Sequence, residues 1–195
     1  MPGRAITDQV VGLLLAAGAG RRMGGPKALI RDEDGTSWLL RSIDVLRDGG
    51  CSDVMVVIGA EADAVRELLA DAKVGVVEAV DWADGMSASL RTGLRSLVGS
   101  DALAACVHLV DLPDIGATVV ARVIAAAEPV TPDALVRATY DGRPGHPVLI
   151  GRDHWTPIAA GAVGDHGART YLDAYDAQRI ECADLATGRD VDRRS

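Results

Sequence analysis

The sequence is short of cysteine, of net positive charge and of long apolar runs, and each shortage removes a class of function. Its three cysteines, Cys51, Cys106 and Cys182, stand far apart in the 195 residues. They form neither a metal knuckle nor a disulfide framework, which fits a reducing, cytoplasmic setting. Lys and Arg number 20 against 28 Asp and Glu, for a net charge of −8. Such a balance excludes broad attraction to nucleic acid or to an anionic membrane, so positive charge must act locally. The apolar run Val10 to Ala17 is too short to span a bilayer. Glycines and arginines follow it where a signal peptide would carry a small-residue cleavage site, so no export signal and no membrane contact are expected. His146, His154 and His166 match no compact zinc-ligand spacing. Trp38, Trp82 and Trp155 are scattered and read as packing residues.

Hydrophobic residues make up 48% of the chain, enough for one sizeable core, and the length fits a single domain over residues 1–195. Short aliphatic runs at 10–16, 54–59, 74–79, 102–110, 133–140 and 146–150 predict strands. Between the first of these, segments 37–47, 60–70, 86–98 and 117–127 carry apolar residues at helical spacing. Strand and helix in alternation predict an α/β fold with a mainly parallel sheet covered on both faces. Ligands of such folds bind beyond the carboxyl ends of the strands. The last third, crowded with glycine, proline and histidine between Asp141 and Gly167, predicts short elements, loops and the site of a second substrate.

The stretch "LLLAAGAGRRMGGPKAL", residues 13–29, turns from aliphatic to glycine-rich to basic. Residues without Cβ let backbone N–H groups approach anionic oxygens closely. A dinucleotide fingerprint fails here, because Gly18 and Gly20 are followed by Met23 at the third glycine position. A P-loop fails too, because Pro26 and Ala28 flank Lys27 where Gly and Ser or Thr are required. What is left is a loop with Arg21, Arg22 and Lys27 directly after a buried strand of an acidic protein, and a polyphosphate is its natural guest.

"LLAAGAGRRMGGPK" (14–27) resembles the signature of the MobA-like nucleotidyltransferase family, and four further segments match it in order. "DWADGMSASLRTGL" (81–94) resembles a stretch found in molybdenum cofactor cytidylyltransferase-like proteins. "VHLVDLPDI" (107–115) resembles the family's metal-binding strand end, "GRPGHPVLIG" (142–151) its G-x-P-V-L segment and "GDHGARTYL" (164–172) its G-D-x-G-A-R motif. The resemblance implies a Rossmann-like, three-layer α/β/α nucleotidyltransferase (GT-A-like) fold with a mixed, mainly parallel sheet. It implies a Mg²⁺-dependent transfer of CMP from CTP to a phosphorylated pterin, molybdopterin or the molybdenum cofactor, with release of pyrophosphate. The pair Ala16-Ala17 resembles the cytidylyl-transferring members. GTP with guanylyl transfer to molybdopterin or another small phosphorylated metabolite is the alternative donor chemistry. A transient contact with a molybdoenzyme or its chaperone is a further implied partner.

By the same resemblance the nucleotide is held by Leu15, Ala16, Ala17, Gly18, Gly20, Arg21, Arg22, Met23, Gly24, Lys27, Gly59, Gly85, Met86, Ser87 and Ser89. Catalysis falls to Lys27, on the α-phosphate, to Arg22, on the leaving pyrophosphate, and to Asp111. The last follows an aliphatic run and should emerge at a strand end, where it either holds Mg²⁺ or caps the helix near Gly116. Asp114 is expected as the cap, Ser87 either as a base contact or as an N-cap, and Arg91 as a solvated helix residue. His146, Asp165 and Arg169 would bind the acceptor, with a local salt bridge around a glycine turn as the alternative for Asp165 and Arg169. Family members finish with D-I-D-T-P-E-D-L, whereas "RDVDRRS" (189–195) supplies Asp190 and Asp192 without T-P-E-D. Asp190 is carried over as a second metal ligand, and the partial match admits a rival reading: a catalytically inactive nucleotide- or pterin-binding carrier or insertion chaperone.

Overall fold

The computed structural model describes residues 9–162, 164 and 167–191. Six of its seven strands occupy the aliphatic runs: β1 (Val10–Leu15), β2 (Asp53–Ile58), β3 (Gly75–Glu78), β4 (Ala104–Leu109), β5 (Leu135–Tyr140) and β6 (Arg143–Gly151). The seventh, β7 (Gln178–Glu181), was not expected. It is an exposed edge strand, "QRIE", with too few apolar residues to show a buried face. The helices are α1 (Trp38–Asp48), α2 (Ala62–Leu68), α3 (Met86–Leu97), α4 (Ala117–Ala125), α5 (Trp155–Gly161) and α6 (Arg169–Ala174).

The strands form one sheet in the order β3-β2-β1-β4-β6-β5-β7. Strand β6 runs antiparallel to both neighbours, β4 and β5, while the other pairings are parallel. Strand β1 is buried along its whole length, as a central strand covered on both faces must be. Alternate residues feed two cores. Leu39, Ile43 and Leu46 of α1 and Val119, Val120 and Val123 of α4 pack on one face with Val10, Leu14 and Cys106. Leu90 and Leu94 of α3, Trp155 and Ile158 of α5 and Leu172 of α6 pack on the other with Leu13, Val107 and Val148. The result is the expected three-layer α/β/α architecture.

Helix α1 starts where Ser37 accepts a hydrogen bond from the Leu40 N–H at 3.4 Å, an N-cap that satisfies one of the helix's orphan donors. The order 2-1-4 makes β1 the point from which the sheet grows in both directions, and a crevice opens there beyond the strand ends. Leu15 stands opposite Leu109 in the parallel register of β1 and β4. The loops that leave the two strands, one glycine-rich and one carrying Asp111, therefore start side by side.

Candidate active site

The loop after β1 folds back on itself through Gly20. Its carbonyl accepts from the N–H groups of Met23 at 2.8 Å and Gly25 at 3.3 Å. Gly20 has φ +54°, and a Cβ there would lie 2.0 Å from the Gly25 carbonyl oxygen. Only glycine closes this turn. Residues Arg21–Met23 make one 3-10 turn, with Met23 buried beneath and Arg21 and Arg22 exposed above. A second 3-10 turn, Lys27–Leu29, aims Lys27 back toward the strand ends. Its Nζ donates to Asp111 Oδ2 at 2.8 Å, across 84 residues of sequence. The two side chains are only 15% and 20% exposed, so the ion pair is partly desolvated and stronger than a surface pair.

This pair stands on the wall of a cavity of about 430 Å³, within the range of small-molecule sites. The residues brought together there are Leu15, Ala16, Ala17, Gly18, Gly20, Arg21, Arg22, Met23 and Lys27 from the first loop, Gly85, Met86 and Ser89 from the start of α3, and Asp111. Gly24, Gly59 and Ser87 do not line it. Gly59 lies beneath: a Cβ there would come within 2.7 Å of both the Ala17 carbonyl oxygen and Trp82 Cγ. Trp82 itself lines the cavity. It also packs against the core beneath α3, as expected, so its ring serves both the packing and the cavity wall.

Four other expectations change. Gly85 is the N-cap of α3, and Ser87 is neither its cap nor a cavity residue. It is 1% exposed and accepts from the Gly167 N–H at 3.1 Å, tying α3 to the segment before α6. Arg91 is not a free solvated arginine, since its Nη2 donates to Asp81 Oδ2 at 2.5 Å. Gly116 is the N-cap of α4 without a side-chain cap bond, so neither Asp111 nor Asp114 caps that helix. Asp114 Oδ2 instead accepts from the backbone N–H and hydroxyl of Thr187, at 2.7 and 2.5 Å. The chain beyond β7 is thereby strapped across the strand ends, where the Val191 N–H donates to the Asp111 carbonyl at 3.0 Å.

The strap brings Asp190 close to Asp111 in the backbone, but Asp190 is exposed and lines a separate cavity with Tyr140, Arg143 and Thr187. Asp111 offers one more feature toward a cation. Its Oδ1 is buried and has no hydrogen-bond partner. A shielded carboxylate oxygen without a donor is costly, and coordination to a cation would satisfy it. Among the described residues no three His, Cys, Asp or Glu side chains cluster as a metal cage. One carboxylate completed by substrate phosphates is how Mg²⁺ is ordinarily held, so the residues present fit that ion.

His146 and Arg169 line a smaller neighbouring cavity, which shares Leu15 and Met86 with the first. Burial pushes the His146 imidazole down to about 4, with nearby Asp111 opposing and Arg137 reinforcing the shift, so the ring is neutral at neutral pH. The Tyr140 hydroxyl donates to the His146 carbonyl at 2.6 Å. Arg137, a residue the sequence analysis passed over, lines this second cavity too. Its signal was a lone arginine inside the strand "LVRATY". Asp165 and His166 lie outside the described residues, so Asp165 is not placed.

A family model describing the MobA-like NTP transferase domain matches residues 12–180. The chain belongs to this family. It is 34% identical over 190 residues to the nicotine blue oxidoreductase of Paenarthrobacter nicotinovorans, covering 94% of this chain and 92% of that protein. A crystal structure of Rv0371c from Mycobacterium tuberculosis H37Rv superposes with a TM-score of 0.77 at 28% identity, covering 96% of this chain and 94% of that one. The same protein has been crystallised with manganese; that structure covers 89% of this chain and 87% of its own, with a TM-score of 0.70 at 28% identity. A nucleotidyl transferase from Methanothermobacter (Mth528), at 19% identity, has a TM-score of 0.78 and covers 95% and 92% of the two chains, a likeness of fold. Among the described residues no helix is long and apolar enough to cross a membrane.

Proposed function

We propose that this member of the MobA-like family transfers CMP from CTP to a phosphorylated pterin, molybdopterin or the molybdenum cofactor, in a Mg²⁺-dependent reaction in the cytoplasm. The observation that carries the reading is the Lys27–Asp111 pair on the wall of a glycine-loop cavity at the sheet's switch point.

An oxygen of the acceptor attacks the α-phosphorus. The new P–O bond forms as the bond to the β-phosphate bridging oxygen breaks, and that electron pair leaves with pyrophosphate. Charge is redistributed over phosphate oxygens, so catalysis rests on positioning and electrostatic stabilisation. Gly18 leaves the loop backbone open to the triphosphate, Gly20 closes the turn that presents it, and Arg21 and Arg22 on its exposed side meet the leaving pyrophosphate. Lys27, held by Asp111, presents its ammonium where the α-phosphate must lie. Trp82 and the start of α3 offer an aromatic surface and small residues to the base and ribose. Mg²⁺, when bound through Asp111, supplies Lewis-acid polarisation of the phosphates. Support for a divalent ion comes from the orphaned Asp111 Oδ1 and from the manganese complex of Rv0371c.

Pyrophosphate release with molybdopterin and Mg·CTP tests the reading. Release with GTP alone would reassign the donor. Stoichiometric pterin binding without release under any nucleotide would favour the carrier reading.

A second reading draws on the 34% identity to nicotine blue oxidoreductase, against the loop's lack of the third glycine of a dinucleotide fingerprint. Hydride transfer, however, gives the Lys27–Asp111 pair no task. Oxidation of a reduced nicotinamide dinucleotide with nicotine blue as acceptor, in the absence of any triphosphate, would establish this reading in place of the first.

A further inference from the structure

The second cavity is small, about 60 Å³, and its walls are largely apolar: Leu15, Val107, Val148 and Leu172 among them. Into it the sheet places a guanidinium. Arg137 lies on β5, between β6 and β7, and is 6% exposed. Its Nη1 reaches Asp173 Oδ1 at 3.3 Å, a long contact for a charge-assisted bond, which is typically about 2.7–2.9 Å. Its Nε is buried with no hydrogen-bond partner. A buried cation left with an unmade hydrogen bond is a costly arrangement, and native structures keep one where something else supplies the partner.

The surrounding charge is unbalanced in the same direction. Asp173 is shared with Arg169 at 4.0 Å and with Arg179 at 3.8 Å, and Arg179 stands beside Arg137 in the β5–β7 register. Among the described residues, three guanidiniums converge on one carboxylate, in a protein whose net charge is −8. Burial lowers the proton affinity of Arg137, Asp173 opposes this, and the charges of Arg179 and Arg169 add to it. Besides Arg137 and Arg169, the one polar side chain on the cavity wall among the described residues is His146, which carries no negative charge.

We propose that this cavity is an oxyanion subsite, in which Arg137 Nε–H binds a carboxylate or phosphate group of the acceptor while Arg169 closes over it from the rim. This inference rests on the transferase reading for the identity of the ligand as acceptor. At about 60 Å³ the cavity has room for one small anionic group. Leu15 and Met86, shared by both cavities, separate the anchored group from the triphosphate. The anchored oxyanion is therefore a recognition element remote from the attacking oxygen, and the acceptor class is a small molecule with an anionic group distinct from its nucleophile.

The test is calorimetric titration of the full chain with inorganic phosphate and with acetate, in wild type, Arg137→Met and Arg22→Ala. Wild type should show saturable anion binding at millimolar concentration, at least tenfold weaker in Arg137→Met and retained in Arg22→Ala. Affinity for Mg·CTP should change less than twofold in Arg137→Met. A drop for phosphate alone assigns a phosphate monoester; a drop for both anions assigns a carboxylate-sized group. Equal anion binding by wild type and Arg137→Met, or no saturable binding of either anion to wild type, overturns the subsite. Should Arg137→Met not fold, Arg169→Ala carries the test, since that side chain is 68% exposed. About threefold weaker anion binding is expected from it, and unchanged binding overturns the proposal. If Mg·CTP binds neither protein while anion binding still falls in Arg137→Met, the subsite stands and the transferase reading falls.

Discussion

Lys27 Nζ lies 2.8 Å from Asp111 Oδ2, joining the glycine-rich loop after β1 to the carboxyl end of β4. The contact follows from strand register: with Leu15 opposite Leu109, the chain two residues past β4 emerges beside Ala17. A lysine on a loop that folds back through Gly20 then needs only its own side chain to reach the carboxylate.

Replacing Lys27 with Ala removes the ammonium that we propose meets the α-phosphate. Turnover should fall by about 10²- to 10³-fold, the scale seen when one preorganised transition-state donor is lost. The unfolding midpoint should move only a few degrees, because the pair is peripheral to both cores. Steady-state pyrophosphate release beside a thermal melt checks both; an unchanged rate contradicts the assigned role.

Asp111 and Asp190 should separate in a metal titration. Asp111→Asn should abolish the Mg²⁺-dependent part of nucleotide binding. Asp190→Asn should change the apparent metal affinity less than twofold, because that side chain lines a different cavity. Equal losses would place Asp190 among the ligands.

Gly20→Ala puts a methyl group where 2.0 Å separates it from the Gly25 carbonyl oxygen, at a φ that L residues disfavour by about 1–2 kcal/mol. The loop must open. Triphosphate affinity should drop at least tenfold while both hydrophobic cores persist, which calorimetry and near-ultraviolet circular dichroism would report together.

The buried histidines give the stability a pH dependence. Burial takes His108 down to about 3, with His146 reinforcing and Asp114 opposing the shift; His146 is held at about 4. Both folded-state values lie below the unfolded value of 6.5. The unfolded chain therefore binds more protons below pH 6.5, and stability is lost as pH falls from there toward 4. Each imidazole contributes a slope of up to about 1.4 kcal/mol per pH unit. Urea denaturation across this window should show a shallower slope in His108→Leu than in wild type; parallel slopes would contradict the buried neutral ring.

Much of this was legible in the sequence for physical reasons. Strand β1 is an unbroken aliphatic run because both of its faces are buried, and Leu39, Ile43 and Leu46 recur at helical spacing because one side of α1 packs on the sheet. The cavity-lining loop within residues 13–29 shows in glycine and basic residues brought together locally. Strand β7 left no trace because an exposed edge needs no apolar periodicity. The tasks of Ser87, Asp114 and Arg137 were hidden for another reason: each is set by a partner 36 to 80 residues away, Asp173 for Arg137, Thr187 for Asp114 and Gly167 for Ser87. Trp82 packs as expected, but its place on the cavity wall over Gly59 is a tertiary fact, invisible in either segment alone.

The central claim, a Mg²⁺-dependent triphosphate site built on Lys27 and Asp111, is tested most directly by thermal unfolding with CTP, GTP, ATP and UTP, each with Mg²⁺, in wild type and Asp111→Asn. Ligand at a hundred times its dissociation constant stabilises by about 2.7 kcal/mol, and each kcal/mol moves the midpoint roughly 2–4 °C in a domain of this size. The account predicts a rise of several degrees with CTP, whose Mg²⁺-dependent part disappears in Asp111→Asn. No shift with any of the four nucleotides at saturating concentration would contradict it.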